Sequence, residues 1–461
     1  MKKIFSVIVC WLLATTLFSQ DIKGDWYGTI KLPGGTLRLV LHISPTDTGY
    51  SSTLDSPDQL VNGIPVAVTH FSEQQLYLDL PTIGASYKAQ WKANGFTGSF
   101  SQGGKDLPLH LSRQPARKPQ EPIPPFPYPT EEVHFRNVAA GIELAGTLSL
   151  PAASGKFPVA VMITGSGPQN RDEELLGHKP FLVIADYLTR NGIAVLRFDD
   201  RGVGKSTGHF ASATSADFAS DVKAAVAFLR TRKEIDRKKI GLIGHSEGGM
   251  IAPMVAADEK DIRFTVLLAG PGIPGSQLLL LQQKLIMEAA DTPASIVKVQ
   301  QERNAKYIDM IVHADHLDSL RPVLALQMAK DFTANAKATD RPDSSVLKMT
   351  EKQAADLATP WMQYFLRYNP APTLEKVTSA VLAVNGSKDL QVPAKPNLDG
   401  IKTALEKGGN KNFTTKEYPG LNHLFQTCKT GLPAEYAAIE QTFSPEVLAD
   451  IAKWIQEKTK Q

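Results

Sequence analysis

The sequence predicts two folded parts: a small all-β, barrel-like domain, and a larger α/β domain built on a mostly parallel, doubly wound sheet with a helical insertion. Three observations carry that prediction. Residues 21 to about 113 alternate apolar and polar side chains with period two. From about residue 131, near-continuous apolar runs alternate with helical stretches. One gap between those runs, from Gly270 to about Lys376, is much too long for a single crossover.

The first part is read from its alternation. Leu37, Leu39, Leu41 and Ile43 are interleaved with Arg38, Val40 and His42; Leu76, Leu78 and Leu80 with Tyr77 and Asp79; Leu107, Leu109 and Leu111 with Pro108 and His110. Period two with Gly, Asp, Asn and Ser between runs marks a half-buried antiparallel sheet. Several strands in so short a span close most naturally into a barrel or sandwich. Gly24, Trp26 and Tyr27 resemble the G-x-W opening of lipocalin-like barrels. This part, residues 21–113, is read as a rigid accessory domain rather than a ligand-binding barrel.

Residues 114–130 carry Pro115, Pro119, Pro122, Pro124, Pro125, Pro127 and Pro129. Such density favours polyproline II, so the segment is expected to be a semi-rigid linker and the domain boundary. Strands are then expected at 159–163, 195–198, 240–243, 265–268, 381–384 and 413–418, with helices at 181–190, 217–230 and 250–257 between several of them. The α/β domain is residues 131–461, with the insertion at about 271–376 forming a helical cap over the site.

Residues 1–20 differ from the rest. Lys2 and Lys3 precede an apolar run from Ile4 to about Phe18, ending at Ser19 and Gln20. A charged start, a short apolar stretch and a small residue at its end form a signal peptide, so an exported protein, periplasmic or secreted by a bacterium, is expected. The formal charge of +3 falls to +1 without Lys2 and Lys3, which is no footprint for nucleic acid. Cys10 leaves with the leader and Cys428 remains alone, so no internal disulfide is expected. Cys428 is read as a small buried residue.

The chemistry-bearing motif is Gly244-His245-Ser246-Glu247-Gly248, between the apolar run 240–243 and a helical start at Gly249-Met250-Ile251-Ala252. A strand–turn–helix with glycines at both ends of the pentapeptide is the setting of a nucleophile elbow, the hallmark of the α/β-hydrolase fold. Its tight turn pushes the hydroxyl of Ser246 off the end of the sheet. A serine needs a base, and this fold runs serine, acid, histidine along the chain. After Ser246 come only His313, His316 and His423. His313 and His316 lie in the cap and are read as surface residues, since two ligands alone make a weak metal site. His423 follows the last apolar run through Pro419-Gly420-Leu421-Asn422 and is the expected base. Asp389, just past the run 381–384, is the expected acid, with helix capping as the alternative role. The oxyanion donors are expected to be the backbone amides of Glu247 and of Ser166, with Gly167 as the fallback. Gly165 and Gly167 do not form a phosphate loop, because the G-K-[ST] ending is missing.

Three stretches together resemble the EstD-type carboxylesterases: Thr164-Gly165-Ser166-Gly167-Pro168-Gln169-Asn170-Arg171-Asp172-Glu173, Leu196 to Ser206 through Asp199-Asp200-Arg201-Gly202, and Gly244-His245-Ser246-Glu247-Gly248-Gly249. The resemblance spans roughly residues 131 to 460 and is weakest in the cap. It implies a bacterial hydrolase of short to medium acyl esters with an N-terminal accessory domain and the triad Ser246, Asp389 and His423. It also hints that Arg171 and Asp172 shape the site entrance; an internal ion pair is the other reading. The 199–206 stretch is read as a structural turn. Thr164 stands where many α/β-hydrolases have histidine.

The expected reaction is acyl transfer to water, with a small-molecule ester as substrate and no cofactor or metal. Two rival readings are a serine peptidase of the prolyl-oligopeptidase type and a ligand-binding protein whose hydrolase domain is inert.

Overall fold

A computed structural model describes residues 21–32, 35–59, 61–114, 117–333 and 344–460. The expected leader, residues 1–20, lies outside the described residues, as does Pro115. The chain divides into two compact units between residues 116 and 117.

The first unit is a nine-stranded antiparallel sheet: β1 (Gly24–Leu32), β2 (Gly35–Thr46), β3 (Gly49–Ser56), β4 (Val61–Val66), β5 (Val68–Ser72), β6 (Gln75–Leu80), β7 (Ala85–Lys92), β8 (Gly95–Gln102) and β9 (Lys105–Ser112). Their order is β4-β3-β2-β1-β9-β8-β7-β6-β5, a meander whose first and last strands pair at Tyr27↔Ser112 and Gly28↔Leu111. Strands β4 and β5 end the order yet follow one another in the chain, and Ser52 on β3 meets Thr69 on β5 at 2.6 Å, so the sheet curls almost into a barrel. Leu39, Leu41, Ile43, Leu76, Leu78, Leu80, Leu109 and Leu111 all point inward. Trp26, Tyr87, Phe96 and Phe100 fill the interior with them, so the inside of the curled sheet is packed with side chains.

The second unit holds an eight-stranded sheet in the order β10-β11-β13-β12-β14-β15-β16-β17. It opens with an antiparallel hairpin, β10 (Thr130–Asn137) and β11 (Ile142–Ser149), where the sequence pattern leads one to expect strand–helix alternation at once. The hairpin is hard to see because β10 buries only alternate residues, Val133, Phe135 and Asn137, one of them polar. The remaining strands are β12 (Phe157–Ile163), β13 (Ala194–Phe198), β14 (Ile235–His245), β15 (Phe264–Leu268), β16 (Ala380–Gly386) and β17 (Phe413–Tyr418), all parallel to one another. Each contains its predicted apolar run.

Helices cover both faces, as a sheet buried on both sides requires. On one face pack α2 (Ser215–Thr231), α3 (Gly248–Asp258) and α10 (Ala394–Lys407); on the other, α1 (Pro180–Arg190) and α11 (Pro445–Thr459). Between β15 and β16 the chain builds the cap from α4 (Gly275–Ala289), α5 (Ala294–His313), α6 (Leu317–Thr333), α7 (Ser344–Leu357), α8 (Pro360–Arg367) and the short α9 (Ala371–Leu374). The cap has its own apolar centre, including Ile311, Leu324, Ala354 and Leu366.

The proline-rich segment departs from expectation. From residue 117 on it belongs to the second unit rather than forming a spacer. Lys118 Nζ donates to the carbonyls of Ala437 and Ile439 at 2.8 and 2.7 Å, and Gln120 Nε2 donates to Phe443 O at 2.8 Å. Tyr128 OH donates to Asp186 on α1 at 2.8 Å. Prolines fix the backbone, but the residues between them supply enough polar and aromatic anchors to dock the segment. Among the described residues, no helix is long and apolar enough to cross a membrane.

Candidate active site

The parallel strands β12, β14, β16 and β17 end on the same edge of the sheet, and the loops leaving them carry the predicted site residues. Ser246 lies between β14 and α3 with φ 52°, a left-handed conformation that a side-chain-bearing residue adopts only at a cost. The surrounding turn enforces it. A Cβ on Gly244 would lie 2.0 Å from the carbonyl oxygen of Gly248, and one on Gly248 would lie 2.1 Å from that of Ile163. Any bulk at either glycine would open the elbow. Ser246 N donates to Leu268 O at 2.9 Å, which ties the turn to β15.

The acid and the histidine sit on loops that clasp one another. Ser387 N donates to Tyr418 O and Lys388 N to Leu421 O, both at 2.9 Å. Asp389 Oδ2 is 2.8 Å from His423 Nδ1, and both residues are buried. The other oxygen, Asp389 Oδ1, accepts from the amides of Gln391 and Val392 at 2.8 Å each, just before α10. Asp389 therefore holds the turn before α10 with one oxygen and meets His423 with the other; the helix-capping role is not found, since α10 is capped at Pro393 with no side-chain bond. Asn422 Oδ1 accepts from Leu424 N and Gln426 N, which fixes the loop around His423. The Ser246 hydroxyl makes no hydrogen bond among the described residues; such contacts commonly tighten only when substrate is bound.

Ser246 opens into a small cleft beneath the cap. Leu278 and Leu279 from α4 and Trp361, Met362 and Phe365 from α8 give it an apolar wall, while Ser166, Gln282 and Gln391 supply polar atoms. Ser166 and Glu247 border this cleft, and their backbone amides have no hydrogen-bond partner among the described residues. Gly167, with φ 95°, is not part of the lining.

Four side chains near Ser246 have contacts that the sequence pattern does not give; Glu247 is expected there for its backbone amide alone. Glu247 is buried, and its Oε1 accepts from Ser215 Oγ on α2 at 2.6 Å and from Trp361 Nε1 on the cap at 2.8 Å, so one carboxyl group joins core and cap. Burial pushes its pKa up, against the pull of those two bonds. Asp200, after β13, accepts from Thr164 Oγ1 at 2.7 Å and Gln169 N at 2.9 Å; burial pushes its pKa up to about 8. Thr164 thus has its own structural purpose. Lastly, His245 and Glu173 pair with each other behind the elbow, 3.0 Å apart. A polar residue next to Ser246 is the signal that points to His245. The serine–acid–histidine order directs attention only to histidines after Ser246.

Arg171 and Asp172 are structural rather than lining residues. Arg171 forms a two-pronged contact with Asp199, through Nε at 3.1 Å and Nη2 at 2.7 Å, and also bonds Thr147 Oγ1 at 2.8 Å. Asp172 pairs with Arg197. Neither lines the cleft, because their charges are spent holding the loop after β12 to β11 and β13. Asp199 also accepts from Lys205 N at 3.2 Å, so the 199–206 stretch is a structural turn. His313 and His316 are exposed on the cap. Cys428 is only half-buried, with its thiol 3.5 Å from Gly420 O. No group of three residues able to hold a metal occurs among the described residues.

A family model described as serine aminopeptidase, S33, matches residues 180–427. The esterase EstD of Thermotoga maritima is 24% identical over 378 residues, 80% of each chain. A thiohydrolase of Aspergillus aculeatus is 35% identical over 136 residues, 29% of this chain and 40% of its own. Among solved structures, an esterase of Pyrococcus furiosus matches 73% of this chain and 92% of its own at 16% identity and a TM-score of 0.44.

Proposed function

The chain belongs to the serine aminopeptidase, S33, family of hydrolases, with an α/β-hydrolase fold, and from that premise we propose that it is a serine esterase cleaving short to medium acyl esters through an acyl-enzyme on Ser246. The observation that carries the reading is the buried 2.8 Å bond between Asp389 and His423, on loops beside a strained serine that faces a cleft with an apolar wall.

In this reading His423 takes the proton of Ser246 as its oxygen bonds to the ester carbonyl carbon. The carbonyl oxygen becomes an oxyanion that accepts from the amides of Glu247 and Ser166, a stabilisation worth about 2.7–4 kcal/mol per donor. The C–O bond to the alcohol breaks and His423 gives the proton to the leaving oxygen. Water then repeats the sequence, losing its proton to His423, and the acid departs as Ser246 regains its hydrogen. Asp389 keeps the imidazole in the required tautomer and stabilises its charged form.

Aminopeptidase activity is the second reading, favoured by the family's own description. A substrate ammonium calls for an ionised carboxylate. The one carboxyl group bordering the cleft among the described residues, Glu247, is held toward its neutral form by burial and already accepts from Ser215 and Trp361. That chemistry supports esters over aminoacyl amides. Leu278 and Leu279, at the leucine-rich start of the cap, support an apolar acyl group. Export through residues 1–20 is part of the same proposal; mass spectrometry of the mature N-terminus in cell fractions tests it.

The deciding experiment compares hydrolysis of p-nitrophenyl esters from acetate to laurate, and of aminoacyl p-nitroanilides, by wild type and Ser246→Ala. Ester turnover by wild type, falling on the order of 10⁴-fold or more in the variant, is expected. Turnover of the anilides alone would select the peptidase, and full ester activity in Ser246→Ala would overturn the assignment.

A further inference from the structure

We propose that Glu173 and His245 form a positioning pair, sharing one proton, that holds the oxyanion loop and the His423 loop in register with Ser246. The proposal rests on the acyl-transfer reading above and adds two residues to it.

The pair joins three loops. His245 is the last residue of β14, directly before Ser246. Glu173 lies on the loop after β12, with φ 50°, a backbone conformation that persists only where its surroundings over-determine it. Its Oε1 accepts from Gly165 N at 2.7 Å and meets His245 Nδ1 at 3.0 Å. The other ring nitrogen, His245 Nε2, lies 3.0 Å from the carbonyl oxygen of His423. One side chain is therefore bonded to the residue before the oxyanion donor Ser166, and its partner to the backbone of the base itself.

The proton count follows from the partners. A carbonyl oxygen carries no proton, so Nε2 must be the donor to His423 O. The contact between Nδ1 and Glu173 Oε1 then needs a proton of its own. It belongs formally to an imidazolium facing a carboxylate, or to a carboxylic acid facing a neutral ring. In both descriptions the pair holds one proton more than a neutral histidine beside a carboxylate. Burial opposes charge on His245, but the field and hydrogen bond of Glu173 outweigh it, helped by His423 O and by Asp389, and the net effect raises the pKa of His245. The charged and titratable groups facing this ring are Glu173, Asp389 and His423, whose own ring centroid is 4.9 Å away.

The geometry has little slack. A Cβ on Gly165 would lie 3.2 Å from Glu173 Oε1, 3.4 Å from Ser246 Cβ and 3.6 Å from His245 Nδ1. The loop is thus packed against the elbow at the point where Glu173 and His245 meet. Neither side chain lines the cleft, so the pair acts through the groups it holds. Misplacing a reacting or stabilising group by about 1 Å can cost about 10²-fold in rate.

Glu173→Gln tests the idea with almost no change of shape. A glutamine oxygen can accept from Gly165 N but cannot also share a proton with His245. On a p-nitrophenyl ester across pH 5–10, kcat is expected to fall roughly 10- to 100-fold with KM within about threefold. In ¹⁵N-histidine spectra, wild type should show one imidazole with a proton on Nε2 and, above neutral pH, a second proton on or hydrogen-bonded to Nδ1. That signal should be absent from His245→Gln and lose one proton in Glu173→Gln. A Glu173→Gln enzyme with wild-type kcat and pH profile overturns the proposal, as does a wild-type His245 lacking a proton on Nδ1 with Glu173 ionised. The wild-type ¹⁵N spectrum, read with the ¹³C carboxyl shift of Glu173 that separates carboxylic acid from carboxylate, decides the matter even if the variants do not fold. Loss of the acyl-transfer reading is seen separately, as activity retained in Ser246→Ala.

Discussion

The two units of the chain bury very different things. Among the described residues of the β unit, the buried polar side chains are Ser52 and Ser56, and neither ionises in the physiological range. The α/β unit buries Glu173, Asp199, Asp200, Asp221, Glu247 and Asp389, with Arg197, Arg201 and three histidines. Both units have good apolar cores, so the difference is not one of packing quality. Burying a carboxyl group is costly unless it is paired or hydrogen-bonded. Glu173, Asp200, Glu247 and Asp389 cluster on the loops that follow the parallel strands. Concentrated buried charge marks where the fold spends stability on chemistry; its scarcity in the β unit marks a body held together by apolar packing.

That contrast can be broken in order of expected effect. Asp389→Asn should lower kcat by about 10⁴-fold, because the amide favours the wrong tautomer of His423. Steady-state kinetics checks it, and a loss under tenfold would remove Asp389 from the site. In the β unit the largest effect should be on stability. Trp26 is fully buried, donates to Ile22 O at 2.8 Å and packs edge-on against Phe96 at 4.7 Å. Trp26→Ala should destabilise that unit by about 3–5 kcal/mol, read by urea unfolding, while kcat of the folded fraction stays within about twofold. A collapse of kcat in parallel would mean that the β unit takes part in turnover.

The smallest effect should come from Asp200, and its sign follows from linkage. Its folded pKa, about 8, is above the ordinary 3.8, so the native state keeps a proton that the unfolded chain has lost. The stability it contributes is complete below about pH 4 and is lost as pH rises through about 8. Asp200→Asn cannot ionise and escapes that fall. Relative to wild type it should gain on the order of 2 kcal/mol between pH 5 and about pH 6.5, measured by urea midpoints. An unchanged difference at the two values would mean that Asp200 is ionised throughout.

Much of this molecule is legible in its sequence, for local reasons. The β unit is visible because each inward leucine is two residues from the next. The parallel strands are visible because burial on both faces leaves little room for polar residues. The hairpin of β10 and β11 is obscured where Asn137 takes an inward position, bonded to Asp221. The proline-rich segment misleads because composition reports stiffness but not docking, which depends on Lys118, Gln120 and Tyr128 finding partners far along the chain. Arg171 and Asp172 are similar: their pattern identifies a charged loop, and only the position of Asp199 and Arg197 gives those charges an internal use.

By itself, the sequence determined that a strand, a tight turn and a helix meet at Ser246, because Gly244 and Gly248 are needed within five residues of chain. It also determined the order in which strands, acid and histidine follow. Tertiary structure alone decided which buried groups meet. Glu173 and His245 are 72 residues apart, and His245 and His423 are 178 apart. No period or spacing encodes such a meeting. It arises because parallel strands deliver their following loops to one edge of the sheet, where burial leaves each polar group only its neighbours as partners.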